Sequence, residues 1–272
     1  MRRVVFNQKG GVGKSSIASN LAAISAARGL KTLLIDLDPQ CNSTQYLLGR
    51  DFRTGERDIG IFFAESLTFK LRNNRTLEDF ITPSRYDNLH VIAANPELGE
   101  IMSQLEAKHK IFKLRDALAR IRDYDAIYID TPPAYNFYTL SALIAADACL
   151  IPFDCDEFSR QALYNLIENV EETRQDHNEA LEVEGIVVNQ FQPRASLPNR
   201  MVDELKEEGL PILDTYISSS VKMRESHDVG VPLIYMAPKH KLTQEFVDLF
   251  ELLHPGFGVG KKTEAESTAE PV

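Results

Sequence analysis

Short apolar segments alternate along this chain with stretches whose apolar residues recur every three or four positions. The apolar segments have the length of buried strands, and we predict strands at Arg3–Asn7, Thr32–Asp36, Leu89–Ala93, Ala126–Asp130, Ala148–Phe153 and Gly185–Asn189. The periodic stretches predict helices at Lys14–Arg28, across Ile111, Leu114, Leu118 and Ile121, from about Ser159, at Pro198–Glu208 and in the segment ending at Leu253. This alternation predicts an α/β fold, with a mostly parallel twisted sheet and helices on both faces.

Two segments depart from the pattern. Asp51–Asn74 is charged and aromatic without sustained periodicity, and we interpret it as an insertion. It is either a solvated loop with a short helix over the sheet or a contact for a partner or a second subunit. Residues 256–272 are rich in Gly, Lys, Glu, Ser and Thr, a composition typical of a disordered tail. Because no Pro/Gly/Ser-rich linker divides the rest, we expect one domain over residues 1–255.

The segment between the first predicted strand and helix has the composition of a phosphate-binding loop. Its three glycines permit a tight turn whose N–H groups converge on an anion, and the helix N-terminus adds positive potential. Lys14 would reach the β/γ-phosphates and the Ser15 hydroxyl would ligate Mg2+. We therefore predict ATP binding by a set of loop residues: Gly10, Gly11, Val12, Gly13, Lys14, Ser15 and Ser16.

Two features extend this prediction. A second lysine, Lys9, precedes the glycines, and Gln8 stands where the general phosphate-loop pattern has glycine. Carboxylates follow two predicted strands, as Asp36 and Asp38 after the second and as Asp130 at the end of a later one. Since open α/β sheets bind ligands at the carboxyl ends of their strands, we expect these groups near the loop.

Together these motifs resemble those of a known family. Lys9–Ser15 resembles the deviant Walker A motif of the ParA/MinD superfamily of ATPases, and Leu34–Gln40 and Tyr128–Pro133 resemble its next two motifs in the expected order. Ile186–Phe191 and Val221–Ser226 fall where ParA-type partition ATPases carry related segments, so the resemblance runs from about Arg3 to about Leu253. It implies a single-domain P-loop NTPase that hydrolyses ATP, slowly without a partner, with ATP and Mg2+ as cofactors.

The resemblance also implies roles for individual residues. Asp130 would hold Mg2+ through water beside Ser15, Asp36 would support that site, and Asn42 could lie behind it. Asp38 would orient the attacking water. Lys9 would reach across an ATP-bound homodimer to the phosphate of the other subunit, and with Lys14 and Asp38 it forms the predicted catalytic set. Asn189 is a candidate adenine contact.

The implied biology is DNA-based positioning of a cargo such as a chromosome, a plasmid or a protein assembly. ParA-type members bind DNA non-specifically in the ATP state, and the matching basic positions here are Arg194, Lys222 and Arg224. A ParB-like or cargo-adaptor protein would stimulate hydrolysis. The formal charge of −10, from 30 basic and 40 acidic residues, argues against a generally basic surface, so a DNA-binding face must arise locally. Ser218–Ser220 departs from the family's sequence before the basic position.

Two alternatives stay open. A MinD-like ATPase would bind a membrane surface through a basic amphipathic C-terminal helix, but here Lys261 and Lys262 are outnumbered by glutamates. No apolar run approaches the roughly 18 residues of a membrane span, and no signal peptide is evident, so we expect a cytoplasmic, nucleoid-associated protein without a membrane. A metabolic P-loop enzyme is the second alternative; Cys149 and Cys155 are not spaced like the cluster ligands of a nitrogenase iron protein.

Overall fold

One sheet of seven strands organises the molecule. A computed structural model describes residues 1–55, 57–68, 75–155 and 159–256. The strands are Arg2–Val5 (β1), Thr32–Asp36 (β2), Ile81–Pro83 (β3), Leu89–Ile92 (β4), Ala126–Asp130 (β5), Ala148–Asp154 (β6) and Glu182–Asn189 (β7). They lie in the order β3-β4-β2-β5-β1-β6-β7, and all neighbours are parallel except the edge pair β3 and β4. The predicted α/β fold is confirmed.

The sheet separates two hydrophobic cores because alternate side chains of a strand point to opposite faces. Val4 packs into one core and its neighbour Val5 into the other, and Leu33 and Leu34 divide in the same way. Burial on both faces explains why the central strands are continuous apolar runs without polar alternation.

Helices cover both faces. They are Lys14–Ala27 (α1), Asn42–Leu48 (α2), Ile59–Leu67 (α3), Leu98–Ala107 (α4), Lys113–Leu118 (α5), Phe137–Ala145 (α6), Ser159–Asp176 (α7), Ser196–Glu207 (α8), Val221–Val229 (α9), Leu233–Met236 (α10) and Lys241–Leu253 (α11), with a 3-10 turn at Leu77–Phe80. α1, α2, α10 and α11 contribute to the core that contains Val5. α3 to α8 contribute to the core that contains Val4.

Several predicted boundaries were wrong. β7 begins at Glu182 rather than at Gly185, so the strand starts with a segment that contains two glutamates, Glu182 and Glu184. α8 begins at Ser196. The predicted helical face from Ile111 to Ile121 is helical only over Lys113–Leu118, and the residues on either side form turns.

The described part of Asp51–Asn74 is more ordered than a solvated loop. It contains α3, whose Ile59 and Phe63 are fully buried in the core. Asp58 caps this helix by accepting a hydrogen bond from the N–H of Ile61 at 2.9 Å. Residue 56 and residues 69–74 lie outside the described part of the chain, as do residues 257–272 of the predicted tail.

Candidate functional site

The predicted phosphate loop connects β1 to α1, at the centre of the sheet. Gly11 and Gly13 have φ values of 79° and 92°, in the left-handed region that only glycine adopts readily. Gly13 is also confined by Asn189, because a Cβ built on it would lie 2.2 Å from the Asn189 Nδ2 atom. Glycine is therefore required at position 13 by both backbone conformation and space.

Side chains from neighbouring strands fix the loop backbone. The Asn189 amide donates to the Val12 carbonyl at 2.8 Å, and the Gln190 amide donates to the Gly11 carbonyl at 2.9 Å. Both donors stand at the carboxyl end of β7, beyond which Gln190 itself takes a positive φ of 55°. Asn7 accepts from the N–H of Lys9 at 2.8 Å. The loop is thus held from two sides and needs little ordering when it binds an anion.

Lys14 lies at the buried base of the loop, with 6% of its surface exposed. Its ammonium donates to the Lys9 carbonyl at 2.9 Å. Burial lowers the pKa of Lys14, while the carboxylates of Asp130 and Asp38 oppose that shift. The ammonium is therefore positioned between the loop and two of the predicted acidic residues.

Asp36 and Asp130 are register partners on the adjacent strands β2 and β5, and both are fully buried. The oxygens of Asp36 are engaged by the protein: Oδ1 accepts from the N–H of Asp38 at 3.0 Å, and Oδ2 accepts from the N–H and hydroxyl of Thr44 at 2.9 and 2.8 Å. Burial, followed by the nearby charge of Asp130, raises the pKa of Asp36 to about 8. Both oxygens of Asp36 therefore already accept hydrogen bonds within the protein, and its predicted place in the Mg2+ site stays a prediction.

Asp130 differs from Asp36 because one of its oxygens is available. Oδ2 accepts from the Ser43 hydroxyl at 2.7 Å, whereas Oδ1 is buried without a hydrogen-bond partner among the described residues. Burial raises the pKa of Asp130 to about 6, against the lowering effect of the Ser15 and Ser43 hydroxyls. An unpaired buried carboxylate oxygen beside a serine hydroxyl fits Mg2+, which prefers oxygen ligands.

Asp38 stands at the wall of a cavity of about 430 Å³ that also includes Lys14, Ser15 and Asn42. Its Oδ1 accepts from the N–H of Gln40 at 2.9 Å. Burial raises the pKa of Asp38, while the Gln40 hydrogen bond and the charge of Lys14 lower it. The carboxylate is therefore oriented at the cavity in which a terminal phosphate would lie.

A second cavity of about 420 Å³ adjoins the first and is lined by Asn189, Ser218–Ser220 and Arg224. The two cavities share Gly11, Gly13, Ser16 and His227. Together they form a continuous space that extends from the phosphate loop to Asn189 and Arg224.

Lys9 does not line either of these cavities. Its side chain is exposed and borders a small separate cavity of about 70 Å³ with Phe153 and Asp154 of β6 and Leu163 of α7. Lys9 and Lys14 therefore line different cavities, although they are only five residues apart in the sequence.

The three predicted DNA-binding residues have different surroundings. Arg194 is exposed and borders a third cavity of about 640 Å³ with Lys241. Lys222 forms an ion pair with Glu225 at 2.5 Å, and Arg224 lines the 420 Å³ cavity on the nucleotide side. Ser218–Ser220 lines both the 420 Å³ and the 640 Å³ cavities.

Comparison with known proteins places this arrangement in a family. Residues 3–183 match the family model AAA_31, described as an AAA domain. The chromosome partitioning protein ParA of Myxococcus xanthus is 32% identical over 249 residues, which cover 90% of this chain and 84% of that protein. This chain belongs to the ParA family of the ParA/MinD superfamily.

Solved structures support the fold of this ParA-family chain. A variant of McdA from Cyanothece in complex with ATP has a TM-score of 0.79 and 20% identity, and the match covers 93% of this chain and 96% of that one. Cobyrinic acid a,c-diamide synthase from Mycobacterium smegmatis, with bound ADP and magnesium, has a TM-score of 0.78 and 20% identity, covering 96% of each chain. At these identities the likeness establishes the fold alone.

The ParA-family site includes residues that sequence reasoning missed. Ser43 and Thr44, which hold Asp130 and Asp36, follow Asn42 directly, and a run of hydroxyl residues so close to an acidic strand end is a usable signal. Gln190 and His227 gave no such signal. Their positions depend on how β7 and α9 approach the loop, and this approach is set by tertiary packing.

Proposed function

We propose that this chain is an ATP-dependent dimerising ATPase that binds DNA non-specifically in its ATP state and positions a cargo, with hydrolysis stimulated by a partner protein. The observation that carries this proposal is the convergence of Lys14, Ser15 and Asp38 on one cavity, with Lys9 placed outside it. Relatedness to chromosome partitioning proteins supports the cargo role. The expected location is the cytoplasm, at the nucleoid.

Nucleotide binding would use both cavities. The phosphates would contact the N–H groups of the loop and the Lys14 ammonium, and the base would extend into the 420 Å³ cavity that Asn189 lines. Ser15 and Asp130 would hold Mg2+, with Asp130 acting through water. The ion supplies neutralisation of charge on the β- and γ-phosphates.

Hydrolysis of ATP requires a positioned water and positive charge near the terminal phosphate, and little covalent work by the protein. The Asp38 carboxylate would accept a hydrogen bond from that water and orient it. Lys14 would stabilise the negative charge that develops on the phosphate oxygens. Asp38→Asn should therefore retain ATP binding but lose most turnover, and equal turnover would contradict the role of Asp38.

Lys9 is proposed to act on the phosphate of a second subunit, as an arginine finger acts in trans. Its placement outside the 430 Å³ cavity supports this role because a cis contact would place it among the lining residues. Sedimentation velocity with ATP tests it. Lys9→Ala should remain monomeric where the unaltered chain dimerises, whereas Lys31→Ala, an exposed lysine at the amino end of β2, should dimerise normally. Unchanged dimerisation of Lys9→Ala would contradict the role in trans.

DNA binding is proposed for the face that carries Arg194 and Lys241. Among the described residues Arg194 has no ion pair, whereas Lys241 contacts Glu245 at 3.2 Å. Ser218–Ser220 and Leu242 line both this face and the nucleotide cavity, so ligand contacts on one side can alter the other. The acidic balance of the whole chain predicts weak binding that decreases steeply with salt.

A salt titration of DNA binding with ATP, with ADP and without nucleotide tests the switch. We expect binding at low salt with ATP only, and a loss of affinity in Arg194→Ala that Arg115→Ala on α5 does not show. Equal binding in all three conditions, or none in low-salt ATP, would refute the DNA switch. Sedimentation with anionic liposomes tests the membrane alternative; across the described residues, no helix is long and apolar enough to cross a membrane.

A further inference from the structure

His227 lies on α9 at the junction between the two nucleotide-side cavities, and none of the roles proposed above includes it. Its Nε2 atom is 2.8 Å from the Ser16 hydroxyl, on the third residue of α1. Ser16 also lines both cavities, so the two side chains form a polar pair at the passage from one cavity to the other.

The imidazole ring is held in place by its surroundings. It packs on the ring of Tyr46 with centroids 4.3 Å apart and an interplanar angle of 30°. The Tyr46 hydroxyl in turn contacts Ser226, the residue preceding His227. Burial lowers the pKa of His227, so the ring is neutral at pH 7 and can donate or accept one hydrogen bond at Nε2.

Docking of α9 does not depend on the contact between His227 and Ser16. Tyr46 and Ser226 hold the start of the helix's last turn, and Asn20 Oδ1 accepts from the N–H of Leu233 at 3.0 Å in the following segment. These contacts join α9 and α10 to α1 and α2 without using the imidazole nitrogens. The Nε2 atom of His227 can therefore exchange the Ser16 hydroxyl for a ligand atom without releasing α9.

We propose that His227 is a nucleotide-binding residue that, together with Ser16, contacts the ligand where its phosphate chain meets the sugar. The terminal phosphate of the bound nucleotide would lie at Lys14, so a nucleotide that extends into the 420 Å³ cavity must pass Ser16 and His227. A neutral imidazole N–H donates to a sugar oxygen at this point. The inference rests on the proposed nucleotide binding and adds a contact to the same site.

Calorimetric titration of three ligands separates this role from a structural one. His227→Phe keeps the packing on Tyr46 but removes the donor, and His227→Gln keeps a polar donor. We expect His227→Phe to bind ATP and ADP up to about tenfold more weakly, the loss expected for one hydrogen bond to an uncharged oxygen. Inorganic triphosphate has no sugar and fills the loop alone, so its affinity should not change. His227→Gln should recover most of the affinity.

The controls distinguish the possible failures. His177→Phe alters an exposed histidine at the end of α7 and should bind all three ligands normally. Unchanged ATP affinity in His227→Phe would overturn the inference alone, as would an equal loss for inorganic triphosphate, which would indicate distortion of the loop. Absence of ATP binding in the unaltered chain would overturn the proposed function as well.

Discussion

Gly13→Ala is the most informative single change in the loop. Alanine at a φ of 92° costs about 1 to 2 kcal/mol, because the Cβ atom approaches the backbone carbonyl. The same Cβ would lie 2.2 Å from Asn189 Nδ2, so Asn189 must move. Its hydrogen bond to the Val12 carbonyl would then be lost, at a cost of about 1 kcal/mol.

These costs should appear in ATP affinity. A strained loop relaxes away from the geometry that binds phosphate, and binding must restore it, so the apparent affinity decreases by the free energy of restoration. The two costs together, about 2 to 3 kcal/mol, correspond to a dissociation constant for ATP that is roughly 30- to 150-fold higher. Isothermal titration calorimetry measures this directly, with thermal unfolding as a check on the fold.

Gly29→Ala provides a matched control at the other end of α1. Gly29 has a φ of 88°, but no atom lies within 4 Å of its added Cβ. It should lose stability from the same backbone strain without losing ATP affinity. ATP affinity within threefold of the unaltered chain in Gly13→Ala, or an equal loss in Gly29→Ala, would refute the reasoning.

Three further predictions concern buried charge and capping. Neutral His254 accepts a hydrogen bond from Arg3 at 2.8 Å, and burial followed by the charge of Arg3 lowers the pKa of His254 to about 4. The unfolded chain therefore binds more protons than the folded chain below pH 6.5, so urea unfolding should show a stability loss of about 2 kcal/mol as the pH falls toward 4. His254→Gln should not show this loss. Asp130→Asn removes a like charge beside Asp36, so at pH 8 its melting temperature should rise while Mg2+-dependent ATP binding is lost; a lower melting temperature would contradict the account. Asp58 accepts hydrogen bonds from the N–H of Ile61 at 2.9 Å and from the amide of Asn95 at 2.7 Å, and Asp58→Ala leaves both donors without this acceptor. The free energy of unfolding, measured by chemical denaturation, should fall by about 2 to 3 kcal/mol. A fall below 0.5 kcal/mol would show that these groups find other partners.

The local pattern of apolar residues and the position of each strand in the sheet together explain which strand boundaries could be predicted from the sequence. The central strands β1, β2 and β5 are buried on both faces, so their apolar runs mark them in the sequence. β7 is an edge strand, and its first residues are charged. Glu184 there pairs with the buried Arg3 at 2.7 Å, an interaction between residues 181 positions apart that no local pattern could indicate.

The α3 segment illustrates the same limit at a smaller scale. Ile59, Phe62 and Phe63 lie on one face, but a single helical turn of apolar residues among charged neighbours is too short to establish a period. Only packing against the core shows that Ile59 and Phe63 are interior residues.

By itself the sequence determined the alternating fold, the phosphate loop and the strand-end carboxylates, because glycine spacing and apolar runs are local properties of the chain. The tertiary structure decided which of the polar side-chain atoms in the site have hydrogen-bond partners. It engages both oxygens of Asp36, leaves Asp130 Oδ1 unpaired among the described residues, and places His227 against Ser16. These outcomes depend on strand register and on the approach of distant helices, and both are set by packing over the whole sheet.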